Sequence, residues 1–454
     1  MKKIALLIFL ISSFANAQYA INGTLTHGLE TDWVVLYRIE GSKQKFIQDT
    51  TLKKDTLFIE GKKQIIGTFK FELPATAKAS SYRVRYRTSS TSFVDFIFNK
   101  EDVRFTFHPD YPKQTLLFSE SKENKTYKNY LKDIFEQQQE LDSLQVATLR
   151  NPTLDLKKSY KIALLKVDSV QQAYLESTQQ MYIAPFIKAS FRVNPPEIKT
   201  NVKAYMSAII AAFFDSIDFS NDTLVNSSFL VDSITDYVFY LNYSEDEKTQ
   251  QVLYKRAVAT VFTKIKESLF KKNIIEFLIG KFEEEENLEM IDFLFENYYD
   301  VLPKSLQNAS FKSEKLTLLA TAVGRIAPDF TWKADGTDFQ LSTLKEAKNY
   351  LLVFWSTDCS HCLKEIPEVH AFLQDKKELK VIAFAMERND VGWKNLKSTL
   401  SNWHHVLGLN KWENKTARAY RINATPSYFV LDADKKIISK PARLKDLEAF
   451  ISKL

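Results

Sequence analysis

Cysteine is nearly missing from this sequence: among 454 residues it occurs twice, at Cys359 and Cys362. A structural zinc site would want a second C-x-x-C, and there is none. His370 and the His404–His405 pair do not complete a recognisable four-ligand set, so no metal is expected. Glycine is scarce as well, ten in all and none between Gly67 and Gly280. No Gly-rich phosphate loop is present, so no nucleotide cofactor is expected. Basic runs are absent. The 62 Lys+Arg and 56 Asp+Glu are interleaved, and a net charge of +6 over this length reads as a solubilising surface, with no nucleic-acid partner. No apolar stretch reaches the ~20 residues of a membrane span.

The start of the chain reads as an export signal. Lys2 and Lys3 precede the apolar run Ile4–Ile11, and Ala15-Asn16-Ala17 fits cleavage after Ala17. No cysteine follows it, which excludes a lipid anchor at that point. Export implies a disulfide-permissive compartment, and the periplasm is the expected location. The mature length then exceeds one domain, and 45% hydrophobic residues with 34 phenylalanines are enough for sizeable cores.

Residues 18–112 read as an antiparallel β sandwich. Val34–Ile39, Thr56–Glu60, Gly67–Leu73, Tyr82–Thr88, Phe93–Asn99 and Val103–His108 are β-branched or aromatic runs with turn signals such as His27-Gly28 and Glu60-Gly61 between them. Residues 113–323 read as all-helical, with apolar residues at three- and four-residue steps in Tyr127/Tyr130/Leu131/Ile134/Phe135 and Ile274/Ile275/Phe277/Leu278. Pro195-Pro196 separates two helices. Asp215, Asp218 and Asp222 lack the glycine and closing glutamate of an EF-hand loop and read as caps and turns. Arg325–Pro328 reads as a linker into a third region, 324–454.

That third region carries the chemistry. An apolar strand, Tyr350–Trp355, leads to Cys359-Ser360-His361-Cys362 and a helix. Cys359 at a helix N-terminus meets free N–H groups and the positive end of the dipole, which favour a thiolate. A thiolate is the nucleophile of thiol–disulfide exchange. Cys362, one turn on and on the same side, can attack a mixed disulfide at Cys359 and release product. Ser360 and His361 tune the couple, and a protonated His361 would favour the thiolate. Glu365 lies on the same face and can take the proton of Cys362. Trp355 is expected to pack beside the pair. A purely structural disulfide would close too small a loop to stabilise much.

From Ala327 onward the sequence resembles the TlpA-like thiol–disulfide oxidoreductases. The resemblance rests on Ala327-Pro328-Asp329-Phe330, Asp338–Leu344, Val353-Phe354-Trp355 with the Cys359–Cys362 motif, Glu365-Ile366-Pro367, and Ala419–Ser427. It implies an α/β thioredoxin fold, a cis peptide at Thr425-Pro426 beside Cys359, and a docking edge for extended substrates there. Tyr428–Asp432, Lys435–Ile438 and Leu444–Lys453 would be the closing strands and helix. Where the family has proline before the second cysteine, this chain has His361. The N-terminal β region is similar to a small domain of unknown function that precedes many long periplasmic thioredoxin-like proteins.

The expected activity is disulfide exchange with protein thiols and a redox-partner protein, more as reductase than oxidant, including misoxidised proteins or cytochrome thiols. The redox-active Cys359–Cys362 disulfide is the only cofactor expected. The β and helical regions would recruit or restrict partners, or pair subunits. One alternative is a binding protein with an accessory redox domain. Another is a thiol peroxidase of the AhpC/TSA type, but Leu352 and Ser356 stand where its proline and threonine would be.

Overall fold

The computed structural model describes residues 19–27, 32–59, 62–88 and 92–454. The signal-like segment Met1–Ala17 and the turn positions Gly28, Glu60 and Gly61 lie outside the described residues. The chain divides after Pro303 into two compact units. The β region and most of the helical region therefore share one unit, and the helix Ala309–Leu319, read above as part of the helical region, belongs to the second.

In the first unit two sheets face each other. One has the order β4-β5-β1-β8-β9, from β4 (Lys53–Ile59), β5 (Lys62–Leu73), β1 (Tyr19–Leu25), β8 (Val103–Phe107) and β9 (Leu117–Glu120). The other is β3-β2-β6-β7, from β3 (Lys43–Thr51), β2 (Trp33–Glu40), β6 (Ser80–Arg85) and β7 (Phe93–Phe98). Alternate residues turn inward, and Phe69, Phe71, Tyr82, Phe96, Phe98, Phe105 and Phe107 fill the space between. Gly23 faces Phe69 across the β1–β5 ladder, and a Cβ there would lie 1.9 Å from the Phe69 ring. The sandwich is not wholly antiparallel, because β1 and β8 run parallel. Their connection passes through every strand between them, long enough for a parallel pair.

The helices join this sandwich through buried polar bonds. Ser121 caps α1 (Lys122–Arg150) by accepting from the Asn124 N–H. Asn124 accepts from the Ile97 N–H at 2.8 Å and donates to the Ile97 carbonyl at 2.6 Å. It thereby satisfies the free edge of β7. Glu123 accepts from the Tyr182 and Ile183 N–H groups, both at 3.0 Å. The hairpin of α1 and α2 (Lys157–Ser177) closes over Leu141, Tyr160, Ala163 and Val167. Beyond it α3 (Glu247–Lys264), α4 (Ser268–Glu284) and α5 (Leu288–Leu294) bury Val258, Ile274, Leu278, Phe282 and Ile291. The aspartates of the middle segment turn the chain: Asp218 accepts from the Ser220 N–H at 2.9 Å.

The second unit opens its sheet structure with the hairpin β10 (Thr331–Ala334) and β11 (Thr337–Gln340). Its main sheet has the order β14-β13-β12-β15-β16. β12 (Asn349–Trp355), β13 (Leu379–Glu387) and β14 (His404–Leu409) are parallel; β15 (Ser427–Leu431) pairs antiparallel with β12, and β16 (Ile437–Ser439) antiparallel with β15. Both faces of β12 are covered, so it reads as one continuous apolar run. Tyr350, Leu352 and Phe354 enter one core. Leu351, Val353 and Trp355 enter the other, with Cys362, Ile366 and Val369 of α6 (Ser360–Leu373) and Leu447 and Ile451 of the last helix. The parallel strands are joined by α6 and by α7 (Val391–Lys397), and α8 (Leu444–Ile451) ends the chain. Arg325–Pro328 is no free linker. Ile437 donates its N–H to the Arg325 carbonyl at 2.7 Å and Ala327 donates to Lys435 at 2.8 Å, so this segment lies along the sheet edge.

Candidate active site

The site stands where the parallel strands end. β12 delivers the chain to Ser356, and the turn to α6 is tied from several directions. The Thr357 N–H donates to Glu387 Oε1 at 2.6 Å, from the last residue of β13. The Cys359 N–H donates to the Ser356 carbonyl at 3.2 Å. Asp358 meets Lys411 at 2.5 Å. Thr357 also packs into the space left by Gly392 on α7, where a Cβ would come within 2.7 Å of Thr357 Oγ1.

Cys359 is the N-cap residue of α6, half-buried, with its Sγ accepting from the Cys362 N–H at 3.1 Å. This is the role serine or aspartate plays at other helix starts, taken by sulfur. Both cysteines are free, and the fully buried Cys362 Sγ stands directly beside Cys359 Sγ. Burial by itself raises the Cys359 thiol. Hydrogen bonds with Cys362 and Thr425, and from the backbone N–H groups of Cys362 and His361, outweigh it and hold the thiol below its ordinary value. Burial pushes the Cys362 thiol up to about 12, helped by Cys359 beside it. One thiol is thus prepared to ionise and the other to stay protonated.

Across the helix, Glu365 is 11% exposed and held at both oxygens: Tyr428 donates its hydroxyl at 2.6 Å, and His361 Nε2 lies 2.8 Å away. Burial, then the Glu365 charge, drive the Tyr428 phenol upward, so it remains a donor. His361 is 71% exposed and turned to Glu365. What it gives to Cys359 is its backbone N–H. Thr425-Pro426 is a cis peptide, and the Thr425 carbonyl lies 3.4 Å from Cys359 Sγ. Ser360 is exposed at the first position of α6, and Trp355 is buried in the same core layer as Cys362. Cys359, Cys362, His361, Glu365, Trp355, Thr425 and Pro426 therefore gather at one end of the sheet.

Residues 323–440 match the AhpC/TSA family. The C-terminal unit is an AhpC/TSA thioredoxin-fold domain. The thiol-disulfide oxidoreductase ResA of Bacillus anthracis is 27% identical over 138 residues, 29% of this chain and 78% of that protein. A ResA of Bacillus cereus is 26% identical over the same lengths. Among solved structures, a domain of a possible thiol-disulfide isomerase from Cytophaga hutchinsonii is 31% identical, covering 29% of this chain and 91% of that one, with a TM-score of 0.26.

Other histidines of the thioredoxin-fold domain stand apart from the cysteines. His404 sits level with Ile382 and Leu352, in mid-sheet, with Nε2 3.0 Å from Glu346; His405 Nε2 lies 2.9 Å from the Leu400 carbonyl. Among the described residues no group of three or more His, Cys, Asp or Glu could hold a metal ion, and no helix is long and apolar enough to cross a membrane. The sequence reading did not single out Tyr428, Glu387 or Lys411 for the site. Strand alternation could have found Tyr428, since it pairs with Val353 and so faces α6. Glu387 is the one acid ending the buried run of β13. Lys411 reaches Asp358 from far along the chain and leaves no local signal.

Proposed function

We propose that this protein is an exported thiol–disulfide oxidoreductase that reduces disulfides in protein partners. The observation that carries the reading is the asymmetry of one pair: a low thiol at a helix cap, half-open beside Thr425, backed by a buried high thiol one turn away. The Cys359 thiolate attacks a sulfur of the partner disulfide, and the partner's other sulfur leaves and takes a proton. Cys362 loses its proton, attacks Cys359 Sγ, and expels the partner's second thiol. Two electrons pass to the partner, and the Cys359–Cys362 disulfide remains for a dithiol partner to reduce. No further cofactor is needed. Glu365, close by on α6, is the acceptor we assign to the Cys362 proton, with Tyr428 and His361 keeping its carboxylate in place. Reduction is favoured over oxidation because the imidazole engages Glu365 and adds nothing to the Cys362, Thr425 and backbone contacts that hold the Cys359 thiolate. A periplasmic location follows from the signal-like Met1–Ala17.

The test is trapping. Cys362→Ser should accumulate a mixed disulfide with an oxidised protein substrate at Cys359, and Cys359→Ser should form none. Exchange surviving Cys359→Ser would overturn the proposal. Hydrogen peroxide consumed at Cys359 without any disulfide substrate would make the protein a peroxidase instead.

A further inference from the structure

Beside Cys359 lies a cleft of about 100 Å³ that the sulfur chemistry itself does not occupy. Met386, buried at the end of β13, lines it together with Cys359, Thr425 and Trp412. Asp358 and Lys411 also line it, but as an ion pair, so the charge there is already neutralised. Trp412 is 46% exposed, yet it is not on a loose loop. It sits in a single 3₁₀ turn, Lys411–Glu413, set by left-handed Asn410 and Lys411 (φ 71° and 45°). Asn414 closes that turn by donating to the Leu409 carbonyl at 2.9 Å and accepting from the Thr416 N–H at 2.9 Å. A fixed indole held open to water beside a reactive sulfur is a surface waiting for an apolar group.

We infer that this cleft is a specificity subsite for the partner, taking a branched aliphatic side chain two positions from the partner's reactive cysteine. The inference rests on the oxidoreductase reading and adds the sequence context that the site selects. An extended partner docked along Thr425 directs its cysteine at Cys359. Side chains of a strand alternate, so the next one on that face is two residues away. The size of the cleft sets the class. An apolar cavity of about 150 Å³ holds benzene, so about 100 Å³ takes valine or leucine and not an indole. A charged side chain would lose hydration against Met386 and Trp412 and find Asp358 and Lys411 already paired.

The experiment uses the full-length mature protein and glutathione mixed disulfides of short peptides. Each peptide carries Val, Leu, Gly, Asp or Trp two positions before or after its cysteine. A few methylenes in an apolar pocket are worth about tenfold. At one of the two positions, kcat/KM for Val and Leu should exceed Gly by about fivefold or more, with Asp and Trp no better than Gly. Trp412→Ala should bring the Leu-to-Gly ratio within about twofold, and Trp412→Phe should keep part of it. The readout is a ratio within one preparation, so any general loss of activity cancels. Equal rates across the wild-type series, or a ratio that survives Trp412→Ala, would overturn the subsite while leaving the oxidoreductase reading intact. Failure to reduce any peptide would remove both.

Discussion

The reduction potential of the Cys359–Cys362 pair should have an unusual pH profile. With both thiols protonated, two protons accompany two electrons and the potential falls by about 59 mV per pH unit. Once Cys359 is a thiolate, only one proton follows and the slope halves to about 30 mV. Hydrogen bonds hold Cys359 below its ordinary value, so the first break should come earlier than for an ordinary thiol. Cys362 is pushed up to about 12, so the second break should come only there. Two ordinary thiols would ionise together and the curve would be nearly flat above about pH 9. This pair should instead lose about 60 mV between pH 9 and pH 11. Equilibration against dithiol buffers from pH 5 to 11 would measure this. Trp355 fluorescence can report the state, because that ring shares a core layer with Cys362, and alkylation followed by mass measurement gives an independent count. A flat potential above pH 9, or a 59 mV slope continuing to that pH, would refute the assignment of one low and one high thiol. The same shifts bear on the folding of the reduced protein. Cys359 contributes stability that is fully present above about 8.5 and is lost as pH falls through its folded value. Cys362 acts oppositely, and stability drains as pH rises from about 8.5 toward 12.

Further outcomes follow from single contacts. Tyr428→Phe keeps the buried ring and deletes the 2.6 Å donor to Glu365; a bond to a charged group is worth about 1.5–3 kcal/mol, and denaturant melts should show that loss together with slower resolution of the mixed disulfide. His361→Ala removes the imidazole and keeps the backbone N–H that serves Cys359, so the potential should move by less than about 30 mV; a larger shift means the ring acts on the thiolate directly. Gly392→Ala drives a methyl into Thr357, whose short branched side chain cannot swing away, and should cost about 1–3 kcal/mol with a matching fall in exchange rate. Asn124→Ala strands the Ile97 N–H and carbonyl and should destabilise the first unit by about 2–4 kcal/mol in a thermal or urea melt, with Cys359 reactivity unchanged.

How far the sequence could be read depended on where the deciding interaction sits. β12 and α6 were legible because their burial is complete and local: a run of apolar residues, then Cys362, Ile366 and Val369 at helical spacing. Strands β2, β7 and β8 showed through alternation. β3 did not, because KQKFIQDTT has no residue fully buried and nothing in its pattern separates a covered face from a wet one. β1 and β9 were missed for a different reason. β1 gains its identity by pairing with β5 and β8, and β9 is four residues of mostly exposed chain recruited to the edge of β8. That the first two regions share one unit was invisible in sequence because Asn124 and Glu123 tie the helices to the strands through backbone groups, and backbone donors and acceptors carry no sequence signature.

In the structure the His361 imidazole meets Glu365. Position in C-x-x-C suggests an imidazole acting on the first sulfur. Helix geometry argues otherwise: Cys359 is the cap, outside the regular turns, whereas His361 and Glu365 are four residues apart on α6 and therefore neighbours on its surface. The imidazole takes the partner that the helix provides. The thiolate is left to Cys362, Thr425 and the N–H groups of the first turn, and the one N–H that position 361 contributes would come equally from any residue except proline. Tuning at this site is thus divided between two layers. Contacts with Cys362 and Thr425, together with the backbone at the helix cap, set how readily Cys359 ionises, and the Tyr428–Glu365–His361 set lies on the path by which the Cys362 proton can leave. A change that alters one layer and spares the other should separate the rate of attack from the rate of resolution.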